Sequence, residues 1–262
     1  MTRPEQPIVV KLGGETLAEQ HATLEGAADA ARSRRLVIVH GGGKRLSGWL
    51  DRLGVQSRFE DGRRVTDDET LSVVVAVLRG LINAELVASL RRLGVAAVGL
   101  SGVDGDLIQA ERVPALGRVG RVVGARTAIL DELLGAGFVP VVAPIALDER
   151  VEICNVNADE VAAGLAAALG GRLVLLTDTD GVRGRDGNRI DRLDAVDAEA
   201  LIAGGIILGG MIPKVRAAIA VIAAGGRDVL IADGRGAKGL ARALDDPTSG
   251  TRMVAPASDG SG

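Results

Sequence analysis

Leu36-Val37-Ile38-Val39-His40-Gly41-Gly42-Gly43-Lys44 decides the fold class. Four consecutive apolar residues bounded by glycine read as a short buried strand. Beyond the glycines, Leu46, Trp49, Leu50 and Leu53 recur at i, i+3, i+4 and i+7, one face of a helix. The stretch therefore reads as strand, glycine turn, helix. Such a turn leaves backbone N–H groups uncovered at the positive end of a helix, where an anion approaches closely. Two readings stay open on this stretch alone: a tight strand-to-helix turn of any α/β protein, or a phosphate cradle. The G-x-x-x-x-G-K-[ST] spacing is absent, which excludes a P-loop.

Upstream, residues 8–12 form a second apolar run that ends in Gly13-Gly14, followed by a polar and alanine-rich helix over about 15–33. Together with residues 36–39 this is a βαβ unit with a right-handed crossover. Both strands then end in glycine turns at the carboxyl edge of one parallel sheet, where open α/β sheets bind ligands. Lys11 and Gly41 become neighbours in space.

Downstream, residues 69–93 predict a long helix that is apolar nearly all the way round, and so central in the core or partly in a subunit interface. Strands are expected at 95–100, 138–143 (stopped by Pro144), 173–176 and 228–232. Helices are expected near 128–134, 161–169, 198–203, 213–224 and 238–244, with hairpin material over 106–123 and again after Thr177 to about Leu193. Asn157 with Glu160 three residues later has the spacing of a capping box. The pattern predicts a three-layer α/β/α sandwich with a mainly parallel open central sheet. It divides near Gly170–Arg172 into intimate lobes, 1–171 and 172–254, with a disordered tail over 255–262.

The composition agrees. With 262 residues, 47% of them hydrophobic, and only Trp49, Phe59 and Phe138 as aromatics, the core must be aliphatic. A net charge of −3 gives no general case for nucleic acid or an anionic membrane. The single Cys154 excludes an internal disulfide and fits a reducing cytoplasm. Residues 1–7 lack the apolar core of a signal peptide, and no uncharged apolar run of membrane-spanning length is expected. Of 31 basic residues only Lys11, Lys44, Lys214 and Lys238 are lysines, and the first three lie beside glycine clusters.

Lys214 follows Pro213 in the first turn of a helix, facing the positive end of the dipole. It is either solvated or placed there for an anion. Lys11 interrupts a buried strand and needs a carboxylate or a phosphate partner; Asp159 is the nearest candidate at the same edge. Asp159 also has a purely local reading, as an acid in the first turn of its helix. Two histidines, His21 and His40, and one cysteine give little support to a Ser-His-Asp, Cys-His or metal site. His40 is either a base or a buried, turn-capping ring. Two lysines, two glycine turns and one acid suit phosphoryl transfer, which needs positioning and positive charge more than covalent help.

Val10-Lys11-Leu12-Gly13-Gly14, Val39-His40-Gly41-Gly42-Gly43, Gly62-Arg63-Arg64-Val65-Thr66, Asn155-Val156-Asn157-Ala158-Asp159 and Gly209-Gly210-Met211-Ile212-Pro213-Lys214-Val215 resemble, in order, motifs of the amino-acid kinase family. The resemblance runs over about residues 8–254 and is strongest to members that phosphorylate N-acetyl-L-glutamate. It implies an enzyme that uses ATP with Mg²⁺, the metal held mainly by the nucleotide. Lys11 and Lys214 would neutralise the transferring group, the N–H groups of Gly14 and Gly42 would donate to it, and Asp159 would hold the lysines. Gly41, Gly42, Arg64 and Asn155 would bind the acceptor, with Arg64 gripping a carboxylate. Lys11, Thr177, Asp178, Gly181, Gly210, Met211 and Lys214 would meet ATP, and no residue would ligate a metal. The first lobe would bind the amino acid and dimerise, and the second would bind ATP. Arginine-inhibited hexameric members carry an extra N-terminal helix, and seven residues precede Ile8, so the resemblance implies a homodimer without arginine feedback. A kinase of carrier-linked aminoadipate or glutamate and a non-catalytic nucleotide sensor remain as alternatives. Lys44 has no place in the pattern.

Overall fold

Ile8–Lys11 (β1) and Leu36–Val39 (β2) are buried at every position and run parallel, with Lys11 opposite Val39. The computed structural model describes residues 6–13, 17–60, 63–226, 228–236 and 238–255, without the side chains of 17–21. Around the first two strands, Ala97–Ser101 (β3), Val139–Ala143 (β4), Arg172–Thr177 (β5), Arg192–Leu193 (β6), Val229–Asp233 (β7) and Thr251–Met253 (β8) complete an eight-stranded sheet. Its order is β6-β8-β7-β5-β1-β2-β4-β3. Neighbours from β7 to β3 are parallel, and β8 enters antiparallel beside β7. The sheet runs unbroken across the boundary at 171–172, because β5 pairs with β1 in register, Lys11 opposite Leu175.

Helices cover both faces: Leu17–Ala31 (α1), Gly43–Arg52 (α2), Asp68–Arg92 (α3), Ala128–Gly135 (α4), Ala158–Leu169 (α5), Ala195–Ala203 (α6), Met211–Ala223 (α7) and Gly239–Asp245 (α8). Alternation along the strands divides the core. Val9, Val37, Val39, Leu173 and Leu175 pack toward α4, α5 and α7, whereas Ile8, Val10, Ile38, Val174 and Leu176 pack toward α1, α2, α3 and α8. Each fully buried aliphatic side chain contributes roughly 1.5–3 kcal/mol relative to exposure. This is the expected three-layer sandwich.

Three differences stand out. Residues 106–123 do form a hairpin, but it belongs to a small closed barrel of Ile108–Arg112, Val119–Ala125, Ile145–Leu147 and Ile153–Val156. Its last two strands have three and four residues, too short for a periodic signal. The capping box is not formed: the Asn157 side chain accepts from the Asp159 N–H, and Glu160 turns away to Arg63. Helix α3 widens into a π-helical stretch over Val75–Ile82. By length and composition alone α3 could cross a membrane, although Arg79 and Glu85 interrupt its apolar run. Val74, Val77, Leu78, Ile82, Leu86 and Leu90 are nevertheless buried in the core. Of the tail expected to be disordered, residues 256–262 lie outside the described residues.

Candidate active site

Three buried charges meet at the carboxyl edge. Lys11 ends β1, with its Nζ 3.1 Å from Asp159 Oδ1. Asp159 stands in the first turn of α5, whose N-terminus is capped by Asn157. Lys214, in the first turn of α7, places its Nζ 3.3 Å from Asp159 Oδ2. One carboxylate thus serves two ammonium groups, all three at least 88% buried by side chain. Burial disfavours the Asp159 carboxylate, but Lys11 and then Lys214 outweigh it and hold its pKa below the ordinary range. Burial, with repulsion from Lys11, pushes Lys214 down to about 8 despite Asp159. The triad carries an uncompensated positive charge, which an incoming anion would satisfy.

A cavity of about 200 Å³ opens beside the triad, lined by Lys11, Asp159, Gly41, Gly42, Gly43, Arg64 and Asn155 among others. Every described residue expected to be catalytic or acceptor-binding faces it except Lys214, which adjoins it through Asp159. Gly14 lies outside the described residues, as does Gly62 of the third motif. The two helices that start at this edge from glycine turns, α2 and α7, have no side-chain cap and no acid in the first turn. Their N–H groups remain positive ends for an anion. By contrast α5, whose Asp159 is spent on the lysines, is capped.

Gly42 sits under α3. A Cβ there would come within 2.5 Å of Ile82 Cδ1 and 2.7 Å of Leu78 Cδ2, whereas one at Gly43 meets nothing within 4 Å. Gly42→Ala is expected to cost roughly 1–3 kcal/mol by overpacking, read as a lower urea midpoint, with Gly43→Ala as the mild control. Equal midpoints for the two variants would refute this contact.

Arg64 is buried, with its guanidinium 4.5 Å over the Phe59 ring and donating to Ser47 Oγ at 2.8 Å and to Ser57 Oγ. Asn155 Nδ2 donates to Thr66 Oγ1 at 3.2 Å, and Thr66 Oγ1 donates to the Arg64 carbonyl. These supports were not found from sequence, because Ser47, Ser57 and Thr66 are ordinary turn and helix residues there.

The nucleotide-side residues are more spread. Thr177 ends β5, and Asp178 and Gly181 follow it at the same sheet edge, while Gly210 and Met211 open α7. None of the five lines the 200 Å³ cavity. A wider groove of about 680 Å³ adjoins it, sharing Arg63 and Asn157 and running between α5 and α7. The Arg63–Glu160 ion pair, 2.5 Å, stands between the two and carried no sequence signal.

The remaining candidates resolve plainly. His40 is 1% exposed, with Nδ1 2.9 Å from the Gly41 carbonyl and Nε2 3.1 Å from Asn83 Nδ2; burial pushes its pKa down to about 4. It is a buried turn ring, neutral at pH 7, and does not line the cavity. Cys154 fills the small barrel and donates to the Ala146 carbonyl, and burial raises its thiol to about 11, far from a nucleophile. Lys44 is exposed.

The sequence matches the amino acid kinase family over residues 6–233. It is 45% identical to an acetylglutamate kinase of Rubrobacter xylanophilus over 250 residues, which is 93% of this chain and 95% of that one. An acetylglutamate kinase of Solibacter usitatus is 44% identical over 254 residues, 94% and 98% of the two chains. Among solved structures, smu.665 from Streptococcus mutans superposes with a TM-score of 0.80 at 28% identity, over 95% of this chain and 98% of that one.

Proposed function

The chain belongs to the amino acid kinase family, and from that premise we infer that it transfers the γ-phosphoryl group of ATP to the side-chain carboxylate of N-acetyl-L-glutamate. The product is N-acetyl-L-glutamyl 5-phosphate, an intermediate of arginine biosynthesis. The observation that carries the reading is the triad of Lys11, Asp159 and Lys214 beside an open glycine turn.

The acceptor carboxylate is ionised at neutral pH, so no base is needed. One of its oxygens bonds to the γ-phosphorus while the bond to the β,γ-bridging oxygen breaks, and ADP leaves with that electron pair. Negative charge spread over the equatorial oxygens is met by Lys11 and Lys214 from two sides and by the Gly42 N–H from a third. Asp159 keeps the ammonium groups apart and aimed. Arg64 takes the α-carboxylate of the acceptor, presented as a planar donor by its stacking on Phe59. Gly41 and Asn155 complete that side, and Gly14 would add a further donor. Thr177, Asp178, Gly181, Gly210 and Met211 take the nucleotide in the second lobe, 172–254, and the first lobe, 1–171, takes the acceptor.

Mg²⁺, where bound with ATP, offsets phosphate charge. Among the described residues no three His, Cys, Asp or Glu side chains converge on one point, and Asp159 is engaged by two lysines, so the ion would ride on the nucleotide oxygens. We further propose a cytoplasmic homodimer that engages neither nucleic acid nor membrane. Supporting it, the outward face of α3 presents exposed Ala76, Gly80, Ala84 and Ala88, small enough for a second helix to approach.

The test is ADP release with N-acetylglutamate, glutamate, aspartate and carrier-linked aminoadipate as acceptors. N-acetylglutamate is expected to give the highest kcat/KM. No turnover with it at millimolar concentration, or preference for the carrier-linked acceptor, would overturn the assignment.

A further inference from the structure

Building on that reading, we propose that His40 is a positioning residue: held by Asn83, its ring fixes the Gly41–Gly42 peptide so that the Gly42 N–H faces the cavity beside Lys11. The argument begins with peptide geometry. In a trans peptide the carbonyl and the next N–H point in opposite directions within one rigid plane. The Gly41 carbonyl is turned inward to His40 Nδ1 at 2.9 Å. The Gly42 N–H is therefore turned outward, and it has no acceptor among the described residues. With glycine on both sides, little else opposes rotation of this peptide.

The ring itself can donate in only one way. Asn83 Nδ2 lies 2.9 Å from the Val141 carbonyl and 3.3 Å from the Leu100 carbonyl, which accept only, so this atom is the amide nitrogen. On its other side, Asn83 Oδ1 accepts from Arg79 at 3.3 Å. The same nitrogen, whose two hydrogens are shared among three acceptors, is 3.1 Å from His40 Nε2; an amide nitrogen accepts no hydrogen bond, so Nε2 carries a lone pair there. The ring hydrogen sits on Nδ1 and points at the Gly41 carbonyl. The strand carbonyls of β3 and β4 thereby set the amide, the amide sets the tautomer, and the tautomer sets the glycine peptide. Burial, which pushes His40 down to about 4, keeps the ring neutral as this chain of bonds requires.

Two features are built around the relay. Asn83 directly follows the π-helical stretch of α3, whose Leu78 and Ile82 press on Gly42 from the same side. A Cβ at Gly99 would come within 2.1 Å of Asn83 Oδ1, so β3 must be glycine where the amide passes. No charged catalytic group is involved, and the ring does not line the cavity.

The test combines kinetics and spectroscopy. In the ADP-release assay, His40→Leu and His40→Gln, which lack a donor at the Nδ1 position, are expected to lose about 30- to 100-fold in kcat with both KM values held within about threefold. His40→Asn, whose amide nitrogen falls near Nδ1, is expected to recover kcat to within about fivefold of the parent. Ring ¹⁵N shifts of the unliganded protein at pH 7 should show the Nδ1–H tautomer, with the His40→Asn spectrum identifying which of the two histidines is which. A kcat for His40→Leu within about twofold of the parent, a His40→Asn as slow as His40→Leu, or an Nε2–H ring would each overturn the proposal. The spectrum needs no substrate, so it still decides the relay if the parent protein fails to turn over N-acetylglutamate, a failure that would count against the assigned reaction instead.

Discussion

Lys214→Ala is expected to lower kcat by about a thousandfold, with KM for N-acetylglutamate changed by less than about threefold. In its proposed role the ammonium acts on charge that grows on the moving phosphoryl group, so its loss should be felt in the transition state rather than in acceptor binding. The same variant should not destabilise the fold. Lys214 is buried beside Lys11, and that repulsion together with burial already depresses its pKa to about 8. Its removal leaves Lys11 and Asp159 as a balanced pair at 3.1 Å. A thermal midpoint equal to or above the parent, together with a collapsed kcat, separates a functional charge from a structural one. An unchanged kcat would remove Lys214 from the reaction.

Asp159→Ala should fail in the opposite way. It leaves two ammonium groups buried with no counter-ion, and stripping one partner from a buried ion pair costs about 3–5 kcal/mol. A large fall in the urea midpoint is expected, in contrast to Lys214→Ala. The milder Asp159→Asn keeps the shape and allows a pH test. Its amide no longer favours the charged lysine, so Lys214 should lose its proton at lower pH than the parent value of about 8. Because activity needs the ammonium form, the alkaline limb of kcat/KM should move toward neutrality. A limb that stays in place would mean that Lys214 is not the group it reports.

The βαβ unit and its glycine ends were legible because each signal was local: an uninterrupted apolar run, then glycine, then a 3.6-residue period. The meeting of Lys11 with Asp159 was also accessible, since a lysine ending a buried strand demands a partner and the topology offers one edge to find it. What stayed hidden depends on pairings distant in sequence. Ile145–Leu147 and Ile153–Val156 are strands only because a barrel closes around them. Asn157 fits the pattern of a capping box, yet Glu160 finds Arg63, ninety-seven residues away, a better partner than its own helix start. Nor does any propensity mark the π-helical turn of α3, whose Leu78 and Ile82 pack against Gly42. Asp178 and Gly181 lie on a loop after a strand end, where sequence places a residue along the chain but not its facing.

The sheet order has a consequence for how the chain assembles. Strands β3, β4, β2 and β1 are complete by Ala143, and β5 extends them by Thr177. Among the described residues β6, by contrast, meets the sheet only through β8, the last of these strands in sequence, which also covers the open edge of β7. Thr251 in β8 then accepts from the Val182 N–H and donates to the Ile190 carbonyl, tying down the hairpin that follows β5. During vectorial synthesis the strands through β5 can therefore consolidate while β7 still presents an unpaired, aggregation-prone edge. Thr251–Met253 is the segment that latches it.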